Sequence, residues 1–135
     1  MLRHLAQKSG WGRRLEVDSA GTTNYHVGEP PDRRSQVHAL RRGYDLSGQR
    51  ARQVDDADFR RFDWILAMDR GHLLELREQG PVLVHDRIRL LLDFAPGLEG
   101  RDVPDPYYGG EGGFEQVLDL VEEGCRGFLA EMARR

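Results

Sequence analysis

Between residues 114 and 132 apolar side chains return every third or fourth position: Phe114, Val117, Leu118, Val121, Cys125, Phe128, Leu129 and Met132. That spacing lines them along one side of a helix of about five turns. Elsewhere the pattern is shorter. "DWILAMD", 63–69, is an apolar run bounded by acids, the signature of a buried parallel strand. "RIRLLLDF", 87–94, also predicts a strand, and so does the alternation over 15–19, which runs into a loop. Residues 2–8 predict a short helix stopped at Gly10. A second helix is expected from Pro31, with Asp32 in its first turn, to about Arg42, ending at Gly43. "DADFRRF" predicts a short helix capped by Asp55 or Asp56, and 70–79 a helix ended by Gly80 and Pro81. The "GGEGG" of 109–113 is expected as a loop before the last helix. Strands and helices alternate, which predicts an α/β fold with a largely parallel sheet.

A chain of 135 residues suggests one domain, 1–135, with no linker or internal repeat. With 39% hydrophobic and 32% charged residues it has the composition of a globular protein. The net charge of −3 gives no drive toward nucleic acid or an anionic membrane. Arginine pairs recur (Arg13-Arg14, Arg33-Arg34, Arg41-Arg42, Arg60-Arg61), but acids lie between them, and the bland reading is a solvated surface. The single cysteine, Cys125, allows no intrachain disulfide. No apolar run approaches the ~20 residues of a membrane span, and MLRHLAQKSG lacks the apolar core of a signal peptide. A cytoplasmic location is the default expectation.

Candidate chemistry centres on "VPDPYYGG", 103–110. A residue before proline is driven out of the α region, so Asp105 should be extended and well fixed. A carboxyl on a stiff loop can deliver a proton to a leaving group, provided burial or a nearby anion keeps it protonated. Tyr107 and Tyr108 could pack against an aromatic ring. The plain alternative is an Asp-Pro turn with two surface tyrosines. Rival signals are weak. His4, His26, His38, His72 and His85 form no metal-ligand spacing, so no metal is expected. The glycine-rich stretch lacks the Lys-Ser/Thr of a nucleotide loop, and there is no GxSxG elbow. Cys125 falls in the apolar stripe of the last helix and is expected to be a core thiol of raised pKa.

Taken together, "VDSAGT", "YHVGEPPDRRSQ", "ARQVDDADFRRFDWILAMD" and "VPDPYYGGEGGFEQVLDLVEEGC" resemble the low-molecular-weight protein tyrosine phosphatases, in that family's order and at about its spacing. The resemblance implies a three-layer α/β fold with a mostly parallel sheet. It implies phosphotyrosine hydrolysis through a phosphocysteine, with no metal or organic cofactor. On it, Asp105 is the general acid that protonates the departing tyrosine oxygen and the base that then activates water. Tyr107 and Tyr108 match walls of the substrate pocket, and Tyr25 an aromatic flanking the phosphotyrosine ring. Ser19 matches a serine that helps hold the phosphate loop, and Asp69 an acid with a supporting role. Where many bacterial members have histidine shortly before "ARQ", Gln49 stands here.

The family's nucleophile and phosphate cradle form one motif, C-x5-R followed by Ser or Thr. The 135 residues contain none: counting on from Cys125, the arginine's place is held by Glu131. The resemblance therefore implies that the chain begins in the helix after the phosphate loop, with the first strand missing. Two explanations are expected to compete, a start assigned too late and a genuine truncation. The chain as given is expected to be inactive. The alternatives are a non-catalytic binding module using the Tyr25, Tyr107 and Tyr108 surface and, less favoured with one cysteine, an arsenate reductase. The partner expected for a completed chain is a phosphotyrosine protein or a small aryl phosphate.

Overall fold

The structure, a computed structural model, describes residues 1–11, 15–22, 26–105 and 110–135, the side chains of 110–112 excepted. Two strands, β1 (Ile65–Ala67) and β2 (Ile88–Leu90), run parallel with Ile65 opposite Ile88 and Ala67 opposite Leu90. Parallel strands need a crossover. Here it is helix α4 (Arg70–Gln79) followed by a 3-10 segment, Val82–Arg87, which the sequence pattern did not suggest. Helices α1 (Leu2–Lys8), α2 (Arg33–Arg41) and α3 (Asp58–Arg61) precede β1, and α5 (Gly110–Ala133) closes the chain.

Most of the expected elements are present, several with shifted ends. Asp32 lies outside α2 and caps it, its carboxylate accepting the Ser35 N–H at 3.2 Å. Pro31 is outside the helix too, and its carbonyl accepts from the Gln36 side chain at 2.8 Å. Neither expected acid is the N-cap of α3, which is Ala57, but the Asp55 carboxylate two residues earlier accepts the Asp58 N–H at 3.2 Å. The run 63–69 is strand only at its centre. Trp64 stands edge-on to Phe94 and Phe128, with ring centroids 5.8 and 6.3 Å away.

Two expected strands change character. Residues 15–18 keep alternating burial, with Leu15 and Val17 half-buried and Glu16 and Asp18 exposed, yet 15–20 form no ladder. The Val17 carbonyl is taken by the Arg3 guanidinium, and among the described residues the pairing nearby is a single parallel bridge, Gly21 to Gln53. After Leu90 the chain coils into a 3-10 turn, Leu91–Phe94. The cause lies in α5. A Cβ on Gly127 would stand 1.8 Å from the Phe94 carbonyl oxygen, and one on Gly124 2.5 Å from Leu91 Cγ. These glycines let the helix backbone press against the turn, which wraps onto α5 where a longer strand was expected. Helix α5 also begins earlier than expected, at Gly110, so part of the glycine-rich stretch is helical. Contacts to α2 described below hold its first turns against the low helix propensity of glycine.

Among the described residues, two clusters bear on the site. Phe59, Ala67, Leu76, Val84, Ile88 and Leu90 join the strands to α3 and α4. Leu92, Ala95 and Val103 pack with Val117, Leu120 and Val121 of α5. Val103 thus anchors the segment that carries Asp105 to the core.

Candidate active site

Strand β1 delivers the chain to Met68 and Asp69, where α4 starts. The Asp69 carboxylate accepts the His72 N–H at 2.8 Å, and its other oxygen lies 3.1 Å from His72 Nδ1. A carboxylate at this end of a helix meets unpaired N–H groups and the positive end of the dipole. The segment 100–105 lies alongside. The Val103 N–H donates to the Met68 carbonyl at 2.8 Å, and the Arg70 N–H donates to Asp102 Oδ1 at 3.0 Å. The structure therefore puts Asp69 and the Asp105 segment side by side at the C-terminal end of β1, the edge where open α/β sheets place their ligands. Asp105 is exposed there.

Ser19 sits on a different segment, exposed, its N–H held by the Asp18 carboxylate at 2.8 Å. With Glu29, Pro30, Pro31, Gln49, Arg50 and Ala51 it lines a shallow hollow of about 130 Å³. Arg52 ties this region to the core. Its guanidinium reaches both oxygens of Asp58 at 2.9 and 3.0 Å and the Asp18 carboxylate at 3.2 Å. Its carbonyl accepts the Gly21 N–H at 2.8 Å. Asp58 is buried, and the hydrogen bonds from Arg52 hold its carboxyl below the usual value. Tyr25, Tyr107 and Tyr108 lie outside the described residues.

Helix α2 grips the first turns of α5. Arg42 reaches Glu115 at 2.8 Å, Asp119 at 2.9 Å and Glu122 at 3.0 Å. His38 stacks on Phe114 with centroids 5.0 Å apart, and its Nδ1 lies 3.3 Å from Glu115. His38 and then Arg42 push the Glu115 carboxyl below its ordinary value. Sequence reasoning missed this grip. The signal was there: His38 on α2 and Arg42, its C-cap, are four apart, and Glu115, Asp119 and Glu122 share a face of another helix. The link from Asp102 to Arg70 carried no such pattern.

Cys125 sits on α5 between the two close-packed glycines, 3% exposed, and burial pushes its thiol up to about 11. Among the described residues no three His, Cys, Asp or Glu side chains gather as metal ligands. Among the same residues no helix is long and apolar enough to cross a membrane.

Comparison with known proteins identifies the family and the fold. The sequence profile described as low molecular weight phosphotyrosine protein phosphatase matches residues 1–135. A low molecular weight protein-tyrosine-phosphatase of Streptomyces coelicolor is 41% identical, over 96% of this chain and 80% of its own length. The corresponding Bacillus subtilis protein, YfkJ, is 37% identical over 99% of this chain and 85% of its own. The crystal structure of a protein tyrosine phosphatase from Entamoeba histolytica superposes with a TM-score of 0.92. It is 34% identical, with 98% of this chain and 85% of that one covered. The layered α/β fold with its parallel strands is that of these phosphatases, and the chain belongs to the low molecular weight phosphotyrosine protein phosphatase family.

Proposed function

We propose that this chain, as one domain, carries the acid–base half of phosphotyrosine hydrolysis, with Asp105 as the proton carrier. The observation that supports this is the place of Asp105, exposed at the C-terminal edge of β1 on a segment pinned to Met68 and Arg70. In the first step a thiolate attacks phosphorus, the bond from phosphorus to the aryl oxygen breaks, and Asp105 gives its proton to that oxygen. In the second, water attacks the phosphocysteine, the phosphorus–sulfur bond breaks to return the thiolate and release phosphate, and the Asp105 carboxylate takes the water's proton. Tyr25, Tyr107 and Tyr108 wall the aromatic ring. Ser19 steadies the phosphate-binding loop, and Asp69 holds the start of α4. The reading requires no cofactor, and its setting is the cytoplasm, with a phosphotyrosine protein as partner.

The thiolate is the part these 135 residues do not supply. Cys125 is buried with a raised pKa, and Glu131 stands where C-x5-R needs its arginine. The polypeptide alone should leave an aryl phosphate untouched. Turnover that scales with pure protein and is abolished by vanadate would refute this. Joined to a segment bearing a strand and C-x5-R-S/T, the chain should turn over. Asp105→Asn should then lower the rate on phosphotyrosine, a poor leaving group, by about 10²-fold or more. The loss should be smaller with a more acidic phenol. An equal loss with both leaving groups would remove Asp105 from the role.

A further inference from the structure

We propose that Asp102, acting with Arg70, is a positioning residue for Asp105; this rests on the reading of Asp105 as the general acid. Arg70 is held and holds at once. Its N–H donates to Asp102 Oδ1 at 3.0 Å, while its guanidinium donates to the Gly100 carbonyl from Nε at 3.2 Å and Nη2 at 2.9 Å. The Gly100 N–H in turn donates to Asp93 Oδ1 at 2.8 Å. Gly100 has φ +76°, a conformation that other residues adopt only with strain. Residues 100, 102 and 103 are therefore each fixed by hydrogen bonds to the end of β1, the start of α4 or the turn before them.

The chain between that latch and Asp105 has little freedom. Val103 is buried, and its N–H is held by Met68. Pro104 has its φ set by its ring, and Asp105, preceding a proline, is kept out of the α region. Few torsions separate the Val103 N–H from the carboxyl that must meet a leaving oxygen. A shift of about 1 Å at such a group can cost about 10²-fold in rate. The latch is exposed, so it adds little to global stability. Its effect should appear in geometry and hardly at all in folding.

A double-mutant cycle tests this in the chain joined to a C-x5-R-S/T segment. Asp102→Ala should lower kcat on a phosphotyrosine peptide by about tenfold or more, with KM changed less than about twofold. The loss should shrink on an aryl phosphate with an acidic phenol. Asp102→Asn, which keeps the acceptor oxygen, should restore most of the rate. In an Asp105→Asn background, Asp102→Ala should cost nothing further. A full additional loss there, or no loss in the single variant, overturns the inference while leaving Asp105 in place. No effect of Asp105→Asn alone overturns the underlying reading and the inference with it. If Asp102→Ala does not fold, Arg70→Met, which removes the hold on Gly100, is put through the same cycle with the same expectation. In the 135-residue chain itself, Asp102→Ala should speed amide exchange at Arg70 and Val103 by about tenfold and leave Leu76 unchanged. Unaltered exchange at both amides overturns the latch.

Discussion

Replacing Arg52 with methionine keeps the apolar stem and deletes the charge. Asp58 then loses the two hydrogen bonds at 2.9 and 3.0 Å, and among the described residues the Asp55 N–H, also at 2.9 Å, still reaches it. Its side chain is 9% exposed, so the stranded carboxylate has little water to turn to. Breaking a buried pair this way costs about 3–5 kcal/mol. Arg52 is itself 32% exposed, so solvent already screens the pair. With the surviving Asp55 bond, that brings the expected loss to about 2–3 kcal/mol. For a domain of this size it corresponds to a fall in Tm of about 8–12 °C at pH 7.

The pH dependence is diagnostic. Arg52 holds the native carboxyl of Asp58 below its usual value of 3.8. The pair's contribution is thus complete above about pH 4 and lost as pH falls through the lower native value. Urea titrations at pH 7 and at pH 3 should show the variant's deficit shrinking at the lower pH. Asp58→Asn in the Arg52→Met background should recover part of the loss, because the unpaired charge is gone. A deficit below about 0.5 kcal/mol at pH 7, or one independent of pH, would refute the reasoning.

Two further outcomes are expected. Gly127→Ala should destabilise by about 3 kcal/mol or prevent folding, because its Cβ would meet the Phe94 carbonyl oxygen at 1.8 Å; a thermal midpoint within about 2 °C of the parent would contradict the close packing. Cys125 should resist alkylation in the folded chain at pH 8 and react once unfolded in urea, since its thiol is buried with a pKa of about 11; rapid native labelling would place it elsewhere.

What the sequence revealed followed from the kind of signal each part leaves. The stripe from Phe114 to Met132 is local and periodic, and α5 carries it. The motif around Asp105 is local too, and the family match extends along the whole chain. The 3-10 turn at Leu91–Phe94 was hidden because its cause, the missing side chains of Gly124 and Gly127, is some thirty residues further on. The strand pattern of 15–19 was legible as alternation, but a ladder needs a partner, and alternation does not name one. Asp102 leaves no sequence signal of its contact, because its partner is a main-chain N–H, which every sequence position but proline offers.

The rim that presents Asp105 is fastened largely by main-chain atoms: the Val103 N–H, and the N–H and carbonyl of Gly100. Glu99 and Arg101, on either side of Gly100, are exposed and contribute no side chain to these bonds. Such a rim can change in charge and shape while Asp105 keeps its place. Substitutions at Glu99 and Arg101 therefore alter the electrostatic face of this edge and leave its main-chain fastening unchanged.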